Sequence, residues 1–308
     1  MIPSTILQEI TTQIQSQNIQ SQQQLNLLKR DIAKKHHLKS IPTNIEILLS
    51  LPAAEIPLFQ PILLTKPVRT ISGVTPVAVM TKPSKCPHGK CTFCPGGLGS
   101  PWGDVPQSYT GHEPATMRGI RNEYDSYLQV MNRLEQYILL GQTVDKIEII
   151  VMGGTFPAEP KEYQEEFILG CFQAMNDFSE LFFDKNEMTF AVLKFKNFFE
   201  LPAELPNTDR EKRLKEKLKA IKLQRKTTLE EEQLRNETAK VRCVALCIET
   251  KPDWGFLEHG NEMLRQGCTR VELGVQTVYD DVLQYVHRGH TAADSKKSIQ
   301  ILRDLGFK

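Results

Sequence analysis

Three cysteines lie within ten residues of this chain, at a spacing that could hold a metal centre with one open position. Residues 85–94 read KCPHGKCTFC, which gives the spacing C-x4-C-x2-C, and Pro95-Gly96-Gly97 follow directly. Structural zinc and iron–sulfur sites normally have four protein ligands. Three ligands from one short loop leave a coordination position at which a small molecule can be activated.

Two kinds of metal centre fit this loop. Thiolates bind zinc and iron–sulfur clusters alike, and Cys86, His88, Cys91 and Cys94 could together wrap a small structural zinc site. The glycine pair after the last cysteine favours the cluster, because glycine lets the backbone approach a bound group closely. The aromatic ring of Phe93 can cover a cofactor face. We therefore predict an iron–sulfur cluster held by Cys86, Cys91 and Cys94.

The other four cysteines carry no such pattern. The chain has seven cysteines, and an odd number argues against a disulfide framework and for a reducing compartment. Cys171, Cys243, Cys247 and Cys268 are scattered through apolar stretches, where small buried side chains are the expected interpretation. Cys243 and Cys247 fall in a predicted strand, where we expect them to share one face. A second cluster is not expected there.

Strands alternate with helices from residue 71 onward, and the motifs above fall at strand ends. Apolar runs predict strands over residues 74–80, 146–152, 241–248 and 270–275, and amphipathic runs predict helices over 123–140, 162–178, 257–266 and 295–305. This order favours a right-handed parallel sheet of the barrel type. In such sheets ligands bind at the C-terminal ends of the strands. The first strand leads into the cysteine loop, and Gly153-Gly154 and Glu249-Thr250 follow the next two.

The first 70 residues read as a separate helical domain. Residues 25–37 form an amphipathic basic helix, and residues 45–51 form a second helix with Asn44 as a candidate cap. Residues 1–24 suggest a frayed or loosely docked helix, and prolines 52, 57, 61 and 67 suggest a linker. We predict a basic N-terminal domain at residues 1–70 and an α/β domain at 71–308, interrupted by an insertion at 184–240.

Composition and charge restrict the function class. The 308 residues are 40% hydrophobic and lack both an 18-residue apolar run and an N-terminal signal, so we expect a cytoplasmic protein without a membrane span. The net charge is only +1, but residues 1–85 carry nine Lys/Arg against four Asp/Glu. Residues 210–226 carry nine Lys/Arg against two Glu. Concentrated basic segments are typical of a polyanion partner, although the second segment fits a solvated helix face equally well.

The cysteine loop resembles that of radical S-adenosylmethionine (SAM) enzymes, which usually reads C-x3-C-x2-C. Cys-Pro-His before the longer gap and Cys-Pro-Gly-Gly after it resemble the Elongator protein 3 family, in which the first gap varies. Six further segments are similar to that family and follow its order: residues 107–114, 144–148, 151–156, 248–253, 271–277 and 288–291.

This resemblance implies the fold. It indicates an α/β protein with an incomplete radical SAM barrel of the (β/α)6 type, preceded by the small helical domain. In the family, two more strands and an acetyltransferase-like domain follow the position that corresponds to Lys308. An unfinished sheet would leave an unpaired edge, so we expect a fragment of a longer enzyme.

The resemblance also implies cofactor contacts. It suggests a [4Fe-4S] cluster on the three cysteines and SAM bound by Gly153, Gly154, Glu249 and Gln276, with Thr250 an alternative at the same strand end. A tight turn for the glycine pair and loop caps for the polar residues remain open from the residues alone.

Other residues are placed at or near the same strand ends. Lys146 matches the lysine that contacts acetyl-CoA in the family, although a lysine at a strand start often only reaches water. Arg288 and His290 are expected at the mouth of the sheet, and Tyr109 and Glu113 on a loop over it, without an assigned role.

The implied reaction is tRNA modification. An adenosyl radical takes hydrogen from the acetyl methyl of acetyl-CoA, the acetyl carbon adds to C5 of the wobble uridine, and thioester hydrolysis leaves 5-carboxymethyluridine. The base must leave the anticodon loop. The tRNA phosphates would be held by basic residues of the N-terminal domain, namely Lys29, Arg30, Lys34, Lys35, Lys39, Lys66 and Arg69.

Other partners and other functions remain open at this point. The reaction needs an electron donor, and the resemblance allows a homodimer or Elongator-like subunits. The alternatives are another radical SAM enzyme, a non-catalytic tRNA-binding fragment and a zinc-stabilised binding module. A methylthiolating enzyme would normally need a second cysteine set, which the remaining cysteines do not offer.

Overall fold

The computed structural model describes residues 2–52, 54–184, 189–202 and 208–308. The chain divides into two compact units. The first comprises Met1–Val74, Arg133–Val144 and Ser179–Lys217, and the second comprises Thr75–Asn132, Asp145–Phe178 and Leu218–Lys308. The domain boundaries predicted from the sequence stay a prediction.

Four helices begin the first unit: α1 (Ser4–Ser16), α2 (Gln22–Lys35), α3 (Asn44–Ser50) and α4 (Ile56–Leu63). Their apolar side chains form one buried cluster. Ile6, Ile10 and Ile14 of α1 belong to it, so the expectation of a frayed or loosely docked helix at residues 1–24 is wrong. Their i, i+4 spacing gives α1 a single apolar face.

Two local features of this unit differ from the prediction. Thr43, and not Asn44, caps α3: the Thr43 hydroxyl accepts a hydrogen bond from the Glu46 N–H, and the Glu46 carboxylate accepts one from the Thr43 N–H. The proline-rich stretch is not a linker throughout, because α4 forms over it. Pro57 lies in its first turn, where no donor is needed, and Phe59 and Leu63, four residues apart, are buried.

The second unit is built on a parallel sheet. The strands and α-helices after Val74 are, in chain order, β1 (Thr75–Met80), α5 (Pro114–Arg121), α6 (Ser126–Leu139), β2 (Lys146–Met152), α7 (Lys161–Phe182), α8 (Val192–Phe198), α9 (Thr208–Gln224), α10 (Leu229–Glu237), β3 (Arg242–Thr250), α11 (Leu257–Arg265), β4 (Arg270–Leu273), α12 (Asp280–Tyr285) and α13 (Ala292–Asp304). Of these, α8 lies wholly in the first unit, and α6, α7 and α9 cross between the two units. The four strands lie in the order β1-β2-β3-β4, and each neighbouring pair is parallel. The predicted α/β class, with a parallel sheet after a small helical region, is confirmed.

A bulge in β3 corrects the prediction for its two cysteines. Cys243 pairs with Ile147 of β2, whereas Cys247 pairs with Ile150, and the register shifts between Ile147 and Glu148. Side chains alternate along a strand, so positions 147 and 150 face opposite sides. The expectation that Cys243 and Cys247 share one face is therefore wrong.

The sheet brings four loops to one edge. Parallel strands end on the same side, so the segments after Met80, Met152, Thr250 and Leu273 all start there. The first of these segments is the cysteine loop, and the second is Gly153-Gly154. Within the part of the chain that the structure describes, no helix is both long and apolar enough to cross a bilayer.

Candidate functional site

A cleft of about 290 Å³ opens at the C-terminal edge of the sheet. Four of the predicted ligands line it, namely Cys86, Gly154, Glu249 and Gln276, and so do Thr250 and Arg288. Residues from all four strand ends therefore meet in one place. This arrangement is the one that parallel α/β sheets use for ligand binding.

The three predicted ligand thiols are partly or fully buried, and each has polar neighbours. The Cys86 sulfur lies 3.9 Å from the Thr155 hydroxyl, and the Cys94 sulfur accepts a hydrogen bond from the Ser108 N–H at 3.3 Å. The Cys91 side chain is only 4% exposed. Its sulfur lies 3.2 Å from His88 Nε2.

Positively charged side chains near the cysteine loop favour the negatively charged thiolate form of its sulfurs. Burial raises the pKa of the Cys86 thiol, while Thr155 and the Lys251 ammonium oppose that rise. Burial, helped by Lys251 and Arg288, lowers the pKa of His88 to about 4. The His88 ring is therefore neutral at pH 7, and Lys251 and Arg288 are cations close to this loop.

The donor set fits a cluster better than a single ion. Among the residues that the structure describes, no three His, Cys, Asp or Glu side chains converge on one ion position. A tetrahedral zinc shell of His88 and the three thiols is therefore not formed. A four-iron cluster takes one thiolate per iron, so its ligands need not converge on one point.

The predicted glycine pair lies against the first strand. Gly153 has a φ of 117°, and a Cβ there would lie 2.3 Å from Thr81 Oγ1. Thr81 Oγ1 also donates a hydrogen bond to the Gly153 carbonyl at 2.8 Å. Gly154 has a φ of 82° but has room, since its added Cβ would meet only the Gln107 side chain at 3.5 Å. Both positions need the conformational freedom of glycine.

Glu249 is held by a contact that the sequence did not predict. The Tyr109 hydroxyl donates a hydrogen bond to Glu249 Oε2 at 2.9 Å. Burial, with the nearby Glu249 carboxylate, raises the pKa of Tyr109, so the phenol stays protonated and keeps donating. Burial also raises the pKa of Glu249; the Tyr109 bond opposes this rise and the Glu272 carboxylate adds to it.

We expect Glu249→Gln to stabilise the protein at neutral pH. The folded-state pKa of Glu249 lies above its unfolded value, so the ionised carboxylate disfavours folding once the pH rises above the unfolded pKa. The substitution removes this cost and leaves an acceptor for Tyr109. We expect a gain of about 0.5–1 kcal/mol at pH 8.

Urea denaturation of both proteins at pH 8 and near pH 4.5 checks this expectation. The difference should shrink at the lower pH, because the folded-state carboxyl then carries its proton more of the time and the cost of burying its charge falls. A variant that is less stable than the parent at pH 8 would contradict the argument. Glu113→Gln is the matched control, because the backbone and side-chain bonds of Thr110 and the Thr116 hydroxyl lower the pKa of Glu113, so that change should destabilise instead.

For three further residues of the site, Lys251, Arg288 and His290, the sequence predicted no role. Lys251 directly follows β3, is 3% exposed and pairs with Asp253 at 3.2 Å. The position of Lys251 could have indicated a role, because a lysine directly after a buried strand is unusual. Arg288 lines the cleft, and His290 is 5% exposed with its Nε2 3.3 Å from the Val275 carbonyl oxygen.

Lys146 is not brought to this cleft. It is exposed at the first position of β2, whereas Gly153 follows the last position of that strand. Six residue steps along a strand span about 20 Å. Its predicted contact with acetyl-CoA stays a prediction.

The predicted RNA-binding residues lie in the first unit, and most of them are exposed. Arg30, Lys34 and Lys39 line a groove of about 570 Å³. Lys35 is exposed beside Glu9, and Lys66 and Arg69 are exposed near the end of the helical region. Lys29 differs, because it is 7% exposed and its amine donates to Asn44 Oδ1 at 2.7 Å. Burial lowers the pKa of Lys29, which leaves it poorly placed for a phosphate.

Two known families match this chain. The family described as the ELP3 N-terminal domain matches residues 4–71, and the radical SAM superfamily matches residues 81–308. These matches confirm the resemblance that the motifs predict.

Relatives of known name are similar over most of the chain. A tRNA uridine(34) acetyltransferase of Methanocaldococcus jannaschii is 48% identical over 267 residues, which is 87% of this chain and 41% of that protein. Elongator complex protein 3 of Homo sapiens is 36% identical over 289 residues, which is 92% of this chain and 44% of that protein. The chain thus spans less than half the length of these curated relatives.

A solved structure also matches. It is described as the archaeal Methanocaldococcus infernus Elp3 with N-terminus deletion (1-46) and is 35% identical in sequence. The match covers 77% of this chain and 36% of that chain, with a TM-score of 0.49.

Proposed function

This chain belongs to the radical SAM superfamily, and we propose that it is the radical-generating part of an enzyme that modifies the wobble uridine of tRNA. The observation that carries the proposal is the meeting of the cysteine loop, the glycine pair and Glu249 in one cleft at the sheet edge. The superfamily match covers that whole region. The substrate is suggested by the relatives named tRNA uridine(34) acetyltransferase.

Cys86, Cys91 and Cys94 would hold the cluster, and no fourth ligand is required of the protein. A [4Fe-4S] cluster with one open iron supplies the electron that cleaves SAM and yields an adenosyl radical. The protein's task is to bind SAM beside that iron and to exclude water from the radical. The burial of Cys91 and the partial burial of Cys86 and Cys94 support this role.

The remaining cleft residues would orient SAM. Gly154 lines the cleft without a side chain, so the methionine part can approach its backbone closely, while Gly153 lets the turn pack against Thr81. Glu249 offers a carboxylate that Tyr109 fixes in place, which suits a ribose hydroxyl or an ammonium group. Gln276 adds an amide from the segment after β4.

The relatives' name suggests only the chemical class of the second substrate. An acetyl donor such as acetyl-CoA fits an acetyltransferase, and Lys146 could bind its phosphates as an exposed point charge. We propose that the adenosyl radical removes a hydrogen atom from the acetyl methyl group and that the resulting carbon radical adds to C5 of the uridine. The adduct would lose the C5 proton and return one electron to the cluster, and thioester hydrolysis would give 5-carboxymethyluridine. The basic groove of Arg30, Lys34 and Lys39 would bind tRNA phosphates without regard to sequence.

Anaerobic reconstitution tests the proposal. We expect about four irons per chain with broad visible absorbance, and release of 5′-deoxyadenosine when SAM and dithionite are added. One zinc per chain and no colour would instead identify a zinc-stabilised binding module. A coloured cluster that never yields deoxyadenosine, in a protein that still shifts tRNA in a gel, would identify a non-catalytic tRNA-binding fragment.

A further inference from the structure

Arg288 is a buried cation without an acidic partner. It is 8% exposed, and its Nη2 donates a hydrogen bond to the Gly274 carbonyl oxygen at 2.9 Å. Its Nη1 lies 3.6 Å from the Cys91 sulfur, and its Nε has no partner. Over the described ranges of the chain, no carboxylate lies within ion-pair distance of its guanidinium. The other buried cation of the cleft, Lys251, does have one in Asp253.

Such an arrangement is costly unless an anion completes it. Buried charges in proteins are paired or coordinate metals, because the interior solvates them poorly. Among the described residues, the guanidinium contacts one thiol, the Cys91 sulfur at 3.6 Å, which is itself 4% exposed. The negative charge that Arg288 needs is therefore expected on that sulfur.

The backbone holds Arg288 in this position from two sides. The Thr92 N–H donates to the Val286 carbonyl at 3.1 Å, which ties the cysteine loop to the segment carrying Arg288. Gly289, with a φ of 82°, packs so closely that a Cβ would lie 2.5 Å from the His88 Cβ. A Cβ on Gly274 would lie 2.7 Å from Arg288 Nη2. Gly274 thus makes room for the guanidinium, and Gly289 lets the segment that carries Arg288 pack against the cysteine loop.

We propose that Arg288 is a positioning residue that stabilises negative charge on the Cys91 thiolate and thereby raises the reduction potential of the centre held by the three cysteines. This inference rests on the proposed function, since it needs the cluster to be bound. One-electron reduction by a low-potential donor adds one negative charge, part of which falls on the ligand sulfurs. A guanidinium at 3.6 Å in a poorly hydrated site favours the reduced state. Nothing is transferred to or from Arg288 itself.

The test is an anaerobic redox titration with dithionite, without SAM, on the reconstituted protein. Arg288→Met removes the charge, and we expect about a tenfold lower equilibrium constant for reduction, which is about 59 mV for one electron. Arg288→Lys keeps the charge and should recover part of the shift. Arg303→Met, which removes an exposed arginine of α13, should leave the potential unchanged.

Other outcomes separate the possibilities. An unchanged potential in Arg288→Met, whether or not SAM binds more weakly, would overturn the proposal; weaker SAM binding would make Arg288 a SAM ligand only. If Arg288→Met retains no cluster, the same comparison is made with Arg288→Gln, where an unchanged potential has the same meaning. A parent protein that binds no cluster would overturn the proposed function rather than this inference alone.

Discussion

Replacing Cys91 with alanine is expected to give a folded protein that holds no stable four-iron cluster. The cysteine loop supplies three thiols to the four irons, so the loss of one leaves two irons without ligands from this loop. We expect iron content to fall from about four per chain to below one, and deoxyadenosine release to fall by about 100-fold or more. Iron analysis, visible absorbance and product assay on the reconstituted variant measure the effect.

Cys171→Ala is the matched control. Cys171 is also buried, but it lies in α7 outside the cysteine loop, and burial raises the pKa of its thiol. A neutral buried thiol is a poor metal ligand, so the control should keep its iron and lose only about 1 kcal/mol of stability. If Cys91→Ala retains four irons while Cys171→Ala loses them, the ligand assignment is wrong.

The sheet could be predicted from local sequence because its strands are continuous apolar runs. β2 has the predicted bounds, Lys146–Met152, and β1 differs by one residue at its start. Both faces of such strands are covered, which gives a run of apolar residues instead of alternation. Gly141 follows the helix before β2 with a φ of 76°, the left-handed conformation that commonly ends helices.

The helical region was harder to predict because its structure depends on burial between helices. α1 has no charged residue in its first turn and no side-chain cap, yet Ile10 is fully buried. α4 contains two prolines and still forms, since Phe59 and Leu63 join the same apolar cluster. Contacts between helices outweigh weak local propensity in both cases.

The site likewise has one part that local sequence predicts and another that depends on tertiary contacts. The cysteine loop is a local motif that its spacing indicates, and the glycine pair was predicted from the family resemblance and from its place directly after a strand. The bond between Tyr109 and Glu249 joins residues 140 positions apart, and the contact between Arg288 and Cys91 spans 197 positions. Such pairs depend on which strand ends become neighbours and on loop conformation, and neither is encoded in the spacing of one motif. The bulge that turns Cys247 away from the face of Cys243 is a third example.

Gly153→Ala is expected to destabilise the protein strongly. The position has a φ of 117°, and the new Cβ would lie 2.3 Å from Thr81 Oγ1 and 3.2 Å from the Thr81 nitrogen. Backbone strain costs about 1–3 kcal/mol, and displacing a packed neighbour costs a similar amount. The Thr81 hydroxyl must also leave the Gly153 carbonyl. We expect the free energy of unfolding to fall by about 2–5 kcal/mol in urea denaturation.

Substitutions at two other glycines distinguish the effect of backbone strain from the effects of steric crowding and of ligand binding. Gly99→Ala adds a methyl at a φ of 65° in open space, so it measures strain alone, about 1–2 kcal/mol. Gly154→Ala should cost about the same, because its Cβ would meet only Gln107 at ordinary contact distance. Gly154 lines the cleft, however, so this variant should also bind SAM at least about tenfold more weakly, whereas Gly99→Ala should not. Equal SAM affinity in these two variants would remove Gly154 from the binding site, and equal stability of all three would show that Thr81 yields without cost.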